Sequence, residues 1–206
     1  MRIGIDGGCW TNRRGFERFL KEILEALGRV GPEHQYVVFL DPKGHSEFQL
    51  KGPYRPVRVE TSAIITEAAA AEGRRSIADL LKMTRAVARE PLDVFFFPTV
   101  YSYFPLWKRQ PVVVGIHDAI PERNPRSAFA SRRHELFWRA KTWLAIAQAD
   151  RFVTVSEYSR RLLREILRIP DSRIDIVSEG VSPRFRRLAP IVEREPMVLY
   201  VGGLNP

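Results

Sequence analysis

The chain has 206 residues, 45% of them hydrophobic, with a formal charge of +9 and a single cysteine. That length suits one domain with a full-sized core, or one domain and a remnant of another. The lone Cys9 excludes an intrachain disulfide framework, and no apolar run reaches the roughly 18 residues that a spanning helix needs. The start, MRIGIDGG, has too short an apolar stretch for a signal peptide, so the expected location is the cytoplasm. The basic excess is mostly arginine and often paired, as at Arg13–Arg14, Arg132–Arg133 and Arg160–Arg161. Such a surface favours anionic partners, namely phosphorylated ligands, an anionic membrane surface or nucleic acid. No zinc-finger spacing, RNP aromatic motif or KH loop accompanies it, so nucleic acid is the weakest of the three.

RIGID (2–6) is a short β-prone run that ends in Asp6 and two glycines. A polar loop follows, and then Phe16, Phe19, Leu20, Ile23, Leu27 and Val30 fall at helical spacing up to Gly31–Pro32. QYVVFLD (35–41) is near-continuously apolar, as a strand covered on both faces would be. Residues 42–55 read as loop and 56–61 as a short strand. An Ala-rich helix is expected over 68–89, with Ile77, Leu80, Leu81, Thr84 and Ala88 on one face. Two buried strands follow, LDVFFFP (92–98) and PVVVGI (111–116). A helix over 131–149 is expected to turn Leu136, Ala140, Leu144 and Ala147 inward. A strand over 151–156 runs straight into a helix over 157–167, and further strands are expected at 173–181 and 196–203, separated by a proline-rich linker at 183–196. Apolar strands alternating with helices predict a Rossmann-like three-layer α/β domain with a mainly parallel sheet.

In such sheets ligands bind beyond the carboxyl ends of the strands. Four of those ends carry glycine or polar residues: Asp6–Gly7–Gly8, Pro98–Thr99, His117–Asp118 and Ser156–Glu157. A buried strand needs neither an imidazole nor a carboxylate at its end, which makes His117 and Asp118 candidate catalytic residues. An imidazole there can exchange a hydrogen bond with a sugar hydroxyl or a phosphate oxygen. Gly15 and Arg18 open the first helix, where free backbone N–H groups favour a phosphate. Ser156 equally fits a plain helix cap. Tyr101, Tyr103, Phe104 and Trp107 crowd the loop after the fourth strand, either as an acceptor surface or as a lid folded on the core. The four histidines stand far apart, and no DxD carboxylate pair is present, so neither a metal nor any other cofactor is expected.

Several stretches, taken in order, resemble the family-four glycosyltransferases of GT-B fold. GFERF (15–19) is similar to their G-I-G-R-Y-like loop, with Glu17 in place of the second glycine. HDAIP (117–121) is similar to their H-D-x-x-P, and VSEYSRRLLREIL (155–167) to their V-S-x-x-S helix start. IPDSRIDIVSEGVSPRF (169–185) follows their I-x-V-x-x-N-G-V-D-x-x-F run, with Glu179 for the usual Asn and Ser182 for the Asp, and YVGGLNP (200–206) resembles the opening of their second domain. The resemblance implies that residues 1–190 are the acceptor-binding, N-terminal half of a GT-B fold, and that 191–206 are a linker and the first strand of a donor-binding domain. It implies a retaining, metal-independent transfer of sugar from a nucleotide-sugar donor, which is a substrate rather than a cofactor, to a glycan or lipid-linked acceptor of the cell envelope. His117 and Asp118 would then be catalytic; Gly15, Arg18, Gly202 and Gly203 would hold the donor phosphates; and Thr99, Tyr101, Tyr103, Ser156 and Glu157 would face the acceptor. The location implied is cytoplasmic, peripheral on the inner membrane face. A different class competes: a non-catalytic module that docks a partner or an anionic ligand, or self-associates, through the unpaired strand at 196–203.

Overall fold

A computed structural model of the chain describes residues 1–13, 15–62, 76–107, 110–182 and 197–198. The strand at 196–203 with Gly202 and Gly203, the linker at 183–196 and the first part of the helix at 68–89 lie outside the described residues, apart from 76–89 and 197–198.

Seven parallel strands form one sheet in the order β3-β2-β1-β4-β5-β6-β7. They are β1 (Arg2–Asp6), β2 (Gln35–Leu40), β3 (Tyr54–Arg58), β4 (Val94–Phe97), β5 (Val112–Gly115), β6 (Arg151–Thr154) and β7 (Ile174–Ile176). The helices are α1 (Gly15–Val30), α2 (Pro42–Glu47), α3 (Ile77–Ala88), α4 (Ile120–Arg123), α5 (Pro125–Ala128), α6 (Arg132–Gln148) and α7 (Glu157–Glu165). The architecture is the Rossmann-like three-layer one read from the sequence. From β1 the chain winds outward to β2 and β3; it then returns to β4 and winds the other way, which leaves the crevice of a topological switch between the tips of β1 and β4.

Strand alternation divides the core in two. Ile5, Val38 and Phe96 face α1 and bury Leu20 and Leu24. Phe95, Phe97, Val114 and Phe152 face the opposite layer and pack with Met83 and Val87 of α3, Trp138 and Ala145 of α6, and Leu163 of α7. At about 25 cal/mol per Å² of apolar surface, each fully buried Phe or Leu contributes roughly 1.5–3 kcal/mol.

Four expectations need correction. Residues 42–47 are helical, because Asp41 caps them by accepting from the Gly44 amide at 2.6 Å and Pro42 stands where a helix tolerates proline. β3 starts at Tyr54 and carries Pro56, which an edge strand allows. The strand expected over 173–181 pairs only at Ile174–Ile176, and the chain then leaves the sheet towards the strand tips. The inward face of α6 is the reverse of the expected one: Trp138, Thr142, Ala145 and Ala149 are buried, whereas Leu136, Ala140, Leu144 and Ala147 are exposed. Both stripes have helical spacing, so periodicity could not choose between them. Trp138 decides the phase, because its indole N–H donates to Glu122 Oε1 at 2.6 Å while its ring fills the core. Smaller rotations leave Val30 at the end of α1 and Ile77 at the start of α3 exposed.

Candidate active site

Because all strands are parallel, the tips of β1, β4, β5 and β6 share one edge of the sheet, and α1 starts at that edge. His117 stands just beyond the tip of β5, its side chain 12% exposed. Its ring packs edge-on against Phe16 and Phe19 in the first turns of α1, with centroids at 5.2 and 4.4 Å. The imidazole is therefore walled by the helix that the glycine turn feeds, and sits neither in the deep core nor on the opposite rim.

The hydrogen bonding fixes its tautomer. Nε2 lies 3.0 Å from the Pro98 carbonyl at the tip of β4. A carbonyl only accepts, so Nε2 carries the proton and the neutral ring presents the Nδ1 lone pair. Nδ1 faces Glu179, 3.8 Å away, on the segment after β7. Burial pushes the imidazole below its ordinary 6.5, and the Pro98 carbonyl, Glu179 and Asp118 oppose that shift only in part. At neutral pH His117 is thus an uncharged acceptor at Nδ1, suited to a hydroxyl rather than to a phosphate oxygen.

Gly115 makes this contact possible. A Cβ at that position would lie 2.2 Å from the Pro98 carbonyl oxygen and 2.8 Å from its carbon. Only a residue without a side chain lets the tips of β4 and β5 approach closely enough for Pro98 to meet the imidazole.

The other expected site residues divide into two groups. Asp118 lies beside His117, and its Oδ1 accepts from the Ile120 amide at 2.9 Å, which folds the loop into an Asx turn. Gly15 opens α1 into empty space, with nothing within 4 Å of a Cβ built on it, and Arg18 is exposed one turn further on. Glu17 is folded back from the cleft: one carboxylate oxygen accepts from the Arg13 amide, and the other from Lys21 at 2.6 Å. Tyr101 joins the aromatic wall, its ring tilted against Phe16 at 5.1 Å and against Trp138 at 4.7 Å between centroids, with its hydroxyl held above its ordinary pKa by burial.

Thr99 and Tyr103 are instead turned into the core, 1% and 3% exposed. Thr99 Oγ1 accepts from the Tyr101 amide at 3.2 Å, and the Tyr103 hydroxyl donates to Gln148 at 3.0 Å. Burial raises the Tyr103 pKa to about 12. Ser156 caps α7, accepting from the Ser159 amide at 3.1 Å, and Glu157 is largely exposed beside Arg160. Sequence reasoning missed Gly115, Phe16, Phe19 and Glu179 as parts of the site. Gly115 is a lone glycine in a strand run, a recognised signal of close backbone approach. Among the described residues no group of three or more His, Cys, Asp or Glu side chains is placed to hold a metal ion. A surface depression lined by Glu33, His34, Gly52, Tyr54 and Arg55 sits at the opposite ends of β2 and β3, away from this chemistry.

The sequence profile of Glycosyltransferase Family 4 matches residues 13–185. No curated protein matches the chain. Among solved structures the chain is similar to the wall teichoic acid polymerase TagF, at 12% identity and a TM-score of 0.50, covering 86% of this chain and 38% of that one. A histidine-to-asparagine variant of TagF soaked with CDPG gives a TM-score of 0.51 at 12% identity, with the same coverage. UGT89C1 of Arabidopsis thaliana, complexed with UDP-L-rhamnose, gives a TM-score of 0.44 at 11% identity over 95% of this chain and 55% of that one. The chain thus spans well under half the length of the TagF structures it matches.

Proposed function

The chain belongs to Glycosyltransferase Family 4, and from that premise we propose that it is the acceptor-side half of a retaining, metal-independent sugar transferase. Residues 1–190 are the N-terminal domain, and 191–206 lead into a donor-binding domain. The observation that carries the reading is a largely buried, neutral His117 at the strand tips, its ring against the start of α1 and its Nδ1 turned to Glu179 with no hydrogen bond between them.

In this reading Nδ1 accepts a hydrogen bond from a hydroxyl of the donor sugar and so fixes its orientation over the acceptor. A group held neutral by burial and locked by a backbone carbonyl costs little further ordering when the substrate binds. Asp118 keeps the loop closed around it. The donor diphosphate lies toward the amides at the start of α1, with Arg18 supplying charge as the leaving group departs. Glu17 does not oppose this, because its carboxylate is taken up by Lys21 and the Arg13 amide. Gly202 and Gly203 complete the phosphate contact from the second domain. Tyr101 and Glu157 face a glycan or lipid-linked acceptor, and the basic surface suits work in the cytoplasm against the inner face of an anionic membrane.

The test joins residues 1–190 to the donor domain of a family-four enzyme and measures turnover of a panel of nucleotide-sugars. His117→Ala is expected to lower kcat roughly a hundredfold, the scale of losing one preorganised polar contact in a site. An unchanged rate in that variant removes His117 from the site.

A further inference from the structure

Two hydrogen-bond acceptors face each other at the strand tips. The Pro98 carbonyl takes the Nε2 proton of His117, which leaves Nδ1 as a lone pair. Phe16 and Phe19 wall the ring from α1, and Asp118 Oδ1 is taken up by the Ile120 amide. The polar side chain before Nδ1 is Glu179, whose carboxylate oxygen stands 3.8 Å away, beyond hydrogen-bonding range. Neither atom has a hydrogen to give the other, so the pair cannot close on itself. Asn stands at this position in the family-four run that residues 169–185 follow, and an amide there could donate to Nδ1. The carboxylate of this chain cannot. Glu179 is 58% exposed and the imidazole 12%, so a ligand reaches the pair from the Glu179 side.

We propose that Glu179 determines donor specificity, selecting with His117 a sugar that presents two adjacent hydroxyls. A hydroxyl carries one hydrogen and serves one acceptor. Neighbouring hydroxyls on a pyranose ring stand about 3 Å apart, so one donates to Nδ1 and the other to Glu179 Oε1, each at about 2.8 Å, across the 3.8 Å between the acceptors. A sugar with the second hydroxyl missing or turned away leaves the carboxylate without its donor. An anionic group is turned away by the same pair, because Glu179 is itself anionic and Nδ1 offers no proton. One ammonium group could serve both acceptors, but the Glu179 charge is screened by its exposure and gains little from a cation, whereas two hydroxyls match two acceptors one to one. The inference rests on the reading of His117 as the contact to the donor sugar, and adds the group that reads the neighbouring position.

The test is titration calorimetry of the full chain with UDP-glucose, UDP-galactose and GDP-mannose, and then with the 2-, 3- and 4-deoxyfluoro forms of the tightest binder, since fluorine keeps the shape and removes the hydrogen. Fluorination at two adjacent ring positions is expected to weaken binding roughly tenfold each. In Glu179→Ala one of those two losses should vanish and the other remain, and in His117→Ala the reverse, because removing either partner of one bond leaves nothing for removal of the other to cost. Glu179 is mostly exposed, so Glu179→Ala should leave the urea midpoint unchanged. Glu179→Gln should move the Nδ1 resonance of the free chain in histidine ¹⁵N NMR, because its amide donates where the carboxylate cannot. An unmoved Nδ1 in that variant, or a fluorination profile that Glu179→Ala leaves as it was, overturns the proposal while the role of His117 stands. A single position coupled to both residues overturns it in favour of one bridging group. Absence of binding by every nucleotide-sugar, or binding indifferent to His117→Ala, overturns the reading of His117 and this inference with it.

Discussion

Gly115→Ala is the most informative single perturbation, because it adds one methyl group where two backbones meet. The new Cβ would sit 2.2 Å from the Pro98 oxygen, against an ordinary contact of 3.4 Å or more, and 3.3 Å from the Phe97 oxygen. None of these atoms belongs to a flexible side chain, so the tips of β4 and β5 must separate by about 1 Å. That lengthens the 3.0 Å contact between Pro98 and His117 Nε2 beyond hydrogen-bonding range. Overpacking of this kind costs about 1–3 kcal/mol, and the lost bond adds about 1 kcal/mol. The expected total is about 2–4 kcal/mol, read by urea unfolding at neutral pH. The bond to Pro98 raises the His117 pKa, so its loss should also move the imidazole titration further below 6.5. Unchanged stability together with an unmoved His117 titration would refute the claim that Gly115 exists for this contact.

His117 also makes stability depend on pH. Burial depresses its folded pKa below 6.5, so between the two values the unfolded chain binds more protons. Stability is therefore fully present above about 6.5, falls as pH drops towards the lower folded value, and should fall less steeply in His117→Gln when unfolding is followed between about pH 5 and 7. Trp138→Phe removes the donor to the half-buried Glu122 carboxylate and should cost about 1.5–3 kcal/mol at neutral pH. Burial already raises the Glu122 pKa, so this penalty should shrink in acid, where the carboxyl is protonated. Gln148→Ala leaves the Tyr103 hydroxyl and the Leu106 amide and carbonyl without the partner that binds all three, and should lower stability by roughly 2–3 kcal/mol in the same assay.

The sheet was legible because its inner strands are covered on both faces, and runs such as QYVVFL and VFFF carry that fact in their composition. The edge that carries the candidate site was legible because parallel strands put every polar tip on one edge. The environment of His117 was not, because Phe16, Phe19 and Glu179 reach it from segments far away in sequence, and periodicity says nothing of such contacts. Thr99 and Tyr103 misled because a polar atom near a strand tip has two uses. Here a neighbouring amide and Gln148 take up those atoms internally. On α6 two stripes of equal spacing competed, and the indole of Trp138 broke the tie through a partner, Glu122, lying outside the helix.

The proposed function rests on the Nδ1 atom of His117, and histidine-selective ¹⁵N NMR during titration with nucleotide-sugars reads that atom. At neutral pH the free chain should show a neutral ring protonated at Nε2. A donor that binds should shift the Nδ1 resonance, while the Nε2 bond to Pro98 stays in place. Donor binding that leaves Nδ1 unmoved, or a ring that is already charged at neutral pH, would contradict the account.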